Sequence, residues 1–227
     1  MWSYYGSKGK IVKEYPFPTE SKIVEPFAGS ARYSLLHWEK EVILVDKYNV
    51  ITDLWGWLQK CVPSDILSLP SLNGGDNLDD IKSLSLNEKR LLGFLINQGS
   101  STPKKTVSKI FGNGKMGELI ERDKKRIASN LHKIRHWTII HGDYLCLSDI
   151  KATWFIDPPY QHGGQWYKSS VNNQHIDFQS LSEWSRNRQG QVVVCENSKA
   201  DWMNFKFLSD MSGAKYKTKE VIWYKER

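Results

Sequence analysis

The sequence predicts an α/β fold: a mostly parallel sheet, an antiparallel hairpin near the C-terminal end, and a helical insertion in the middle of the chain. Three observations carry this prediction. Short apolar runs at 22–27, 41–46, 137–141, 152–157 and 191–195 have the length of buried strands, and each ends at or close to an acid. Amphipathic helical stripes alternate with the first of these runs, the pattern of crossover units that build parallel sheets. The runs 205–208 and 220–224 then read as a two-strand hairpin.

The first element is the run Lys22-Ile23-Val24-Glu25-Pro26-Phe27, a strand stopped by an acid and a proline. Ala28-Gly29-Ser30 makes a tight turn, and Tyr33, Leu35 and Leu36 begin a helix. Strand, glycine turn and helix open a Rossmann-like unit, and Gly29 lets the backbone come close to a ligand. The second strand ends at Asp46, seventeen residues past Gly29. An acid at that place commonly accepts hydrogen bonds from ribose hydroxyls; the alternative is an N-cap. Asn49 already fills the cap of the next helix, whose stripe is Val50, Ile51, Leu54, Trp57, Leu58 and Cys61.

Residues 63–136 change character and predict a helical insertion, with 1–62 and 137–227 forming the sheet domain around it. Pro63 and Pro70 break the preceding helix, and 73–77 reads as a loop. Ser85 and Glu88 form a capping-box signature ahead of Leu91, Leu92, Leu95 and Ile96. A further helix starts near Gly117, with Ile120, Ile127, Leu131 and Ile134 on one face. The sheet resumes at 137, and Asp143 follows its strand. Residues 161–174 are polar and contain Gly163 and Gly164, which predicts a mobile loop beside the site. Asp177 caps a helix through Phe178, Leu181 and Trp184.

Composition narrows the classes. Hydrophobic residues at 40% and charged residues at 25% of 227 describe a globular chain rather than a disordered one. No apolar run approaches membrane-spanning length, which predicts no membrane partner, and the N-terminus has no signal-peptide pattern. Cys61, Cys146 and Cys195 form neither a metal pattern nor a disulfide framework, so a reducing, intracellular setting and no metal are predicted. The net charge of +7 and a pI near 9.2 point to a polyanionic partner. That charge is local. Between Gly99 and His136 there are ten basic residues, among them Lys104, Lys105, Lys109, Lys124, Lys125 and Arg126, against Glu118, Glu121 and Asp123; ten minus three equals the excess of the whole chain. A solvated helix face is the bland explanation, and a surface for a nucleic acid backbone the alternative.

The most informative stretch is Trp154-Phe155-Ile156-Asp157-Pro158-Pro159-Tyr160. Proline cannot donate to a sheet ladder, so the strand must stop at Pro158. The result is a stiff turn at a strand's carboxyl end, where open α/β sheets bind ligands. A carboxylate, a fixed carbonyl and an aromatic ring held together suit a planar base carrying an exocyclic NH2. At the N-terminus, Gly6-Ser7-Lys8-Gly9-Lys10 has neither the spacing nor the preceding strand of a phosphate loop.

Asp157-Pro158-Pro159-Tyr160 resembles the motif of methyltransferases that act on the amino groups of nucleic acid bases. Further stretches resemble, in the same order, the Dam-like class of DNA adenine methyltransferases. These are the aromatic pair before Gly6 and Lys8, Glu25-Pro26-Phe27-Ala28-Gly29, the acid Asp46, and Gly142-Asp143-Tyr144. The chain departs from that pattern at Ser30-Ala31, where many members keep more glycine. The resemblance implies a Rossmann-like methyltransferase sheet that binds S-adenosylmethionine through Tyr4, Lys8, Glu25, Pro26, Phe27, Gly29, Ser30, Asp46, Asp143 and Tyr144. It implies catalysis by Asp157, Pro158 and Tyr160 on the N6 nitrogen of an adenine flipped out of double-stranded DNA. Residues 63–136 would then be the target-recognition region, with Lys104, Lys105, Lys109, Lys125 and Arg126 on the DNA. A cytoplasmic enzyme of a bacterial, archaeal or phage-infected cell, monomeric or weakly dimeric, completes the expectation. The alternatives are an RNA adenine or DNA cytosine amino-group methyltransferase, and a catalytically silent binding subunit on the same fold.

Overall fold

The computed structural model describes residues 1–109, 115–163, 176–212 and 217–226. The chain divides into two compact units. One comprises Lys8–Asn49 and His136–Arg227; the other comprises Met1–Ser7 and Val50–Arg135. Against the predicted boundary at residue 62, the first seven residues and the helix that begins near residue 50 group with the helical unit. The cause is apolar: Trp2 is fully buried, with its ring centroid 4.8 Å from that of Trp55 and 6.0 Å from that of Phe94.

The first unit is built on a seven-stranded sheet: β1 (Lys22–Glu25), β2 (Glu41–Asp46), β3 (Thr138–His141), β4 (Ala152–Ile156), β5 (Gly190–Asn197), β6 (Lys206–Ser212) and β7 (Lys217–Lys225). The order is β3-β2-β1-β4-β5-β7-β6. The first five strands of this order are parallel, and β7 runs antiparallel to both β5 and β6. β4 is buried throughout, as its continuous apolar run requires. Trp154 shows how a large polar-tipped ring is accommodated there: its Nε1 donates to the carbonyls of Ile150 and Gln189. Val24, Ile156, Val192, Val194 and Leu181 pack with it, the last from α6 (Phe178–Arg186), whose Asp177 cap accepts from the amides of Gln179 and Ser180. β4 ends at Ile156, one residue ahead of the Asp157 turn.

β1 lies between β2 and β4, so strand order reverses there. The carboxyl ends of the parallel strands flank that reversal, and in open α/β sheets ligands bind at such a point.

The second unit contains α2 (Asn49–Leu58, whose first residue belongs to the sheet unit), α3 (Pro63–Leu67), α4 (Leu86–Leu95) and α5 (Lys115–Ala128). Pro63 does not merely break a helix; it starts α3 from the first turn, where its missing N–H costs nothing. Ser85 and Glu88 form the predicted capping box on α4. Ile120, Ile127, Leu131 and Ile134 are all buried, but α5 stops at Ala128, and the last two lie on a separate 3-10 turn. Residues 75–78 and 105–107 pair as short antiparallel segments, which anchors the chain carrying Lys104, Lys105 and Lys109. No helix among the described residues is long and apolar enough to cross a membrane.

Gly190 opens β5 at φ +91°, and a Cβ there would sit 2.4 Å from the carbonyl oxygen of Ala152 on β4. Both the backbone conformation and the contact exclude a side chain. Gly190→Ala should therefore destabilise the sheet unit by roughly 2–4 kcal/mol, read as a lower urea midpoint at unchanged m-value.

Candidate active site

The carboxyl edge of the sheet carries most of the predicted site residues. Glu25 ends β1 and is buried; Oε1 accepts from the amide of Ser34, in the first turn of α1 (Arg32–Leu36). Glu25 thus ties strand to helix and supplies the cap that Ala31 cannot. Burial pushes its carboxyl up to about 8, against the lowering effect of the Ser34 hydrogen bond. Pro26 is buried, Phe27 half-buried, and Ser30 buried. Gly29 (φ 45°) and Ala31 (φ 43°) both adopt left-handed backbone, so the turn keeps a glycine-like shape where the sequence has alanine. A left-handed alanine costs about 1 kcal/mol, held here by the amide of Ala31 donating to the carbonyl of Ala28.

Asp46 organises this turn. Oδ2 accepts from the Gly29 amide at 2.9 Å, and Oδ1 accepts from the Tyr48 amide at 2.9 Å. Burial raises its carboxyl to about 6, with both amides working in the opposite direction. Each oxygen retains a lone pair, so Asp46 can hold the turn and still accept from a ligand hydroxyl. Asp143, after β3, accepts from the Leu145 amide and pairs with Lys47 at 3.2 Å on the surface. Tyr144 is 8% exposed and belongs to the core, its ring centroid 5.6 Å from Phe27 and 5.1 Å from Trp184. Tyr4 belongs to the helical unit, its ring centroid 5.8 Å from that of Phe94.

The second cluster is centred on Lys8. Its side chain is only 4% exposed, and Nζ lies 2.9 Å from Asp157 Oδ1 and 3.4 Å from Glu220 Oε1. Nζ also donates to the Tyr160 hydroxyl and stands 4.4 Å above that ring. Glu220 Oε1 accepts from the hydroxyls of Tyr15 at 2.7 Å and Tyr160 at 2.6 Å. Burial works against the Lys8 charge, but Asp157 and Glu220 outweigh it and raise the ammonium's pKa above its ordinary value. For Asp157 the balance differs: burial dominates over Lys8 and pushes its carboxyl up to about 6. Asp157 Oδ1 is sealed and forms an ion pair with Lys8. The side chain keeps 18% of its surface accessible, and Oδ2 takes no hydrogen bond from the described residues. Pro158 is buried, and Tyr160 half-buried.

Tyr15 and Glu220 were not among the residues singled out by sequence. Glu220 is 1% exposed on β7, opposite Asn197 at the carboxyl end of β5. Its signal was an acid in phase with Ile222 on a strand whose preceding residues, Thr218 and Lys219, are exposed. Glu196, also buried, holds the chain after the Asp157 turn by accepting from the Gln161 amide and from Trp202 Nε1. The predicted loop at 161–174 is described only as far as Gly163; residues 164–175 lie outside the described residues.

In the helical unit, Lys104, Lys105, Lys109, Lys125 and Arg126 are exposed. Lys105 pairs with Asp79, and Arg126 with the buried Asp123. Lys124 corrects the expectation of a nucleic acid contact. It is 2% exposed, donates to the Leu69 carbonyl and pairs with Glu121 at 2.7 Å. It shares α5 with the apolar Ile120 and Ile127, and helical spacing turns it inward with Ile127.

No protein-family model matches the chain, and a search of curated proteins finds no relative. Among the described residues, no group of His, Cys, Asp and Glu could hold a metal ion.

The raised Glu25 carboxyl has a stability consequence. A group that binds its proton more tightly when folded contributes stability that is full below its unfolded pKa, near 4.5, and is lost as pH rises through about 8. Glu25→Gln keeps an acceptor for Ser34 and removes this dependence. Relative to the parent, the variant should gain stability between pH 5 and pH 9, on the order of a few kcal/mol, measured by urea unfolding of both proteins at each pH.

Proposed function

We propose that the chain is an S-adenosylmethionine-dependent methyltransferase acting on the N6 amino group of adenine in DNA. The observation that carries this reading is the Asp157-Pro158-Pro159-Tyr160 turn at the strand-order reversal, with a lysine on one oxygen of its carboxylate and the other oxygen taking no hydrogen bond from the described residues. The mostly parallel sheet with an antiparallel C-terminal hairpin is consistent with a Rossmann-like scaffold, which supports this reading. The set Phe27, Gly29, Asp46 and Asp143 suits the donor: left-handed backbone at Gly29, spare lone pairs on Asp46, and a half-buried aromatic ring. When bound, S-adenosylmethionine supplies a methyl group on a cationic sulfur, which keeps the electron pair of the broken S–C bond as the N–C bond forms.

The chain's own residues answer the demands of the amine. The lone pair of an adenine amino nitrogen is delocalised into the ring, so the nitrogen is a poor nucleophile. Asp157 Oδ2 and the Pro158 carbonyl accept its two N–H groups, allow it to pyramidalise and stabilise the charge that develops on it. The proton released after transfer passes to Asp157 and on to solvent. Lys8 favours the ionised form of Asp157, which only an unprotonated acceptor role requires. One face of the Tyr160 ring is taken by Lys8. The other face stacks on the extruded base, contributing about 1–3 kcal/mol toward the few kcal/mol that extrusion costs. The exposed Lys104, Lys105, Lys109, Lys125 and Arg126 supply the phosphate contacts.

Modification-sensitive sequencing of DNA from cells expressing the chain should reveal N6-methyladenine at one sequence; its absence from DNA, or its presence only in RNA, would reject the reading. Asp157→Ala should lower the transfer rate by roughly 10²-fold or more with S-adenosylmethionine affinity retained, and near-normal turnover would rule out the mechanism. In the parent enzyme the rate should fall as pH drops through about 6, where Asp157 takes up its proton.

The basic surface is tested separately. Neutralising Lys104, Lys105 and Lys109 together, or Lys125 and Arg126 together, should weaken DNA binding equally on all sequences. Each lost phosphate contact should flatten the plot of log affinity against log salt by roughly one unit. Unchanged slopes in both variants would place the DNA elsewhere.

A further inference from the structure

The Lys8 cluster contains more than methyl transfer asks of it. Acceptors for the amine and a stacking ring would be met by Asp157, Pro158 and Tyr160, yet a second carboxylate is buried behind them. Glu220 is 1% exposed, and its position on β7 lies between the exposed Lys219 and the apolar Val221 and Ile222. Burying a carboxylate is costly unless its interactions are good. Among the described residues its Oε2 has no hydrogen-bond partner, so the compensation they provide falls on Oε1. That single atom accepts from Tyr15 and Tyr160 and faces the Lys8 ammonium. It therefore holds two groups that touch the reacting centre, the Lys8 head and the Tyr160 hydroxyl, and it is itself steadied by Tyr15, whose ring packs edge-on against Phe155 of β4 with centroids 5.0 Å apart.

Resting on the methyltransferase reading, we infer that Glu220 is a positioning residue: with Tyr15 it fixes Lys8 on Oδ1 of Asp157 and fixes the ring of Tyr160, so that Oδ2 and the ring face away from Lys8 stay turned to the target base. Without Glu220, the tyrosine hydroxyl loses its acceptor, and the ammonium is drawn to Asp157 alone. Among the described residues, the titratable groups that interact electrostatically with Asp157 include Lys8 and Tyr15 from the N-terminal segment, Glu25 from β1, Tyr160 from its own turn, Cys195 and Glu196 from β5, and Glu220 from β7. Lys8 is the one cation in this set, and Glu220 and Asp157 are the two carboxylates it touches.

This arrangement makes opposite variants move one titration in opposite directions. Glu220→Gln removes a negative neighbour of Asp157 and should lower the pH at which Asp157 titrates by roughly one unit. Lys8→Met removes the cation and should raise it. Carbon-13 NMR of protein labelled at aspartate carboxyls reads this in the purified full chain whether or not it methylates anything. The kinetic reading uses S-adenosylmethionine and the methylated DNA sequence: Glu220→Gln should lower kcat by roughly tenfold through misplacement, leave the KM for S-adenosylmethionine unchanged, and carry the acid limb of the rate profile to lower pH. Tyr15→Phe, which keeps the packing against Phe155, should lower kcat in the same sense by a smaller factor and guards against a Glu220 variant that fails to fold. A parent protein that methylates no nucleic acid would reject the methyltransferase reading, and the positioning role with it. An active parent whose Asp157 titrates at the same pH in Glu220→Gln, or whose kcat survives both Glu220→Gln and Tyr15→Phe, would overturn the positioning role alone.

Discussion

One buried ammonium is the constraint on which the candidate site depends. Lys8 has a side chain 4% exposed, and no charge tolerates such a position without close counter-charges. Its counter-charges come from two distant strand ends: Asp157 just past β4 and Glu220 on β7. Removing either partner leaves an imbalance, and removing a partner of a buried pair typically costs about 3–5 kcal/mol. The N-terminal segment, the Asp157 turn and the C-terminal hairpin are therefore held together electrostatically as well as by packing. The same ammonium does two things at once: it favours the ionised form of Asp157 and covers one face of Tyr160.

The sheet supplies the frame for this charge cluster. Parallel strands end together, so Glu25, Asp46 and Asp157 reach the same edge at neighbouring strands. Each of these acids has a local use that resists a generic reading. Glu25 caps α1 through Ser34, Asp46 closes the turn after β1 through the amide of Gly29, and Asp157 faces Lys8. Burial raises the pKa of all three, and three such acids at one sheet edge make a stronger candidate for a functional region than any one of them does.

What could be read in the sequence was what local chemistry determines. Pro158 had to end β4, Ser85 and Glu88 had to cap α4, and the acids had to follow the apolar runs; the structure has all of these. Pro63 was legible as a break but not as the start of α3, because a proline ends one helix and opens another by the same missing N–H. Lys124 looked like its exposed neighbours, since a lysine run does not announce which member turns inward to meet Leu69 and Glu121. Tyr15 and Glu220 were illegible for a different reason. Their meeting depends on β7 pairing with β5 in one register, and a hairpin seen in the sequence does not fix which interior strand it joins.

The short distance between Trp2 and Lys8 bears on how the protein is made. Six residues apart, they are committed to different units: Trp2 to the helical core beside Trp55, Lys8 to the acids of the sheet. During synthesis Trp2 finds its partners early, once Trp55 and Phe94 have emerged. Lys8 must wait for Glu220, which follows it by 212 residues (220 minus 8), and until then its ammonium is better solvated by water than buried. Because domains mature in the order they emerge, the helical unit can consolidate around Trp2 while the charged centre of the sheet unit is still open. The site is thus among the last parts of the molecule to close, and a chain stalled before β7 would leave Lys8 with Asp157 but without its second counter-charge, Glu220.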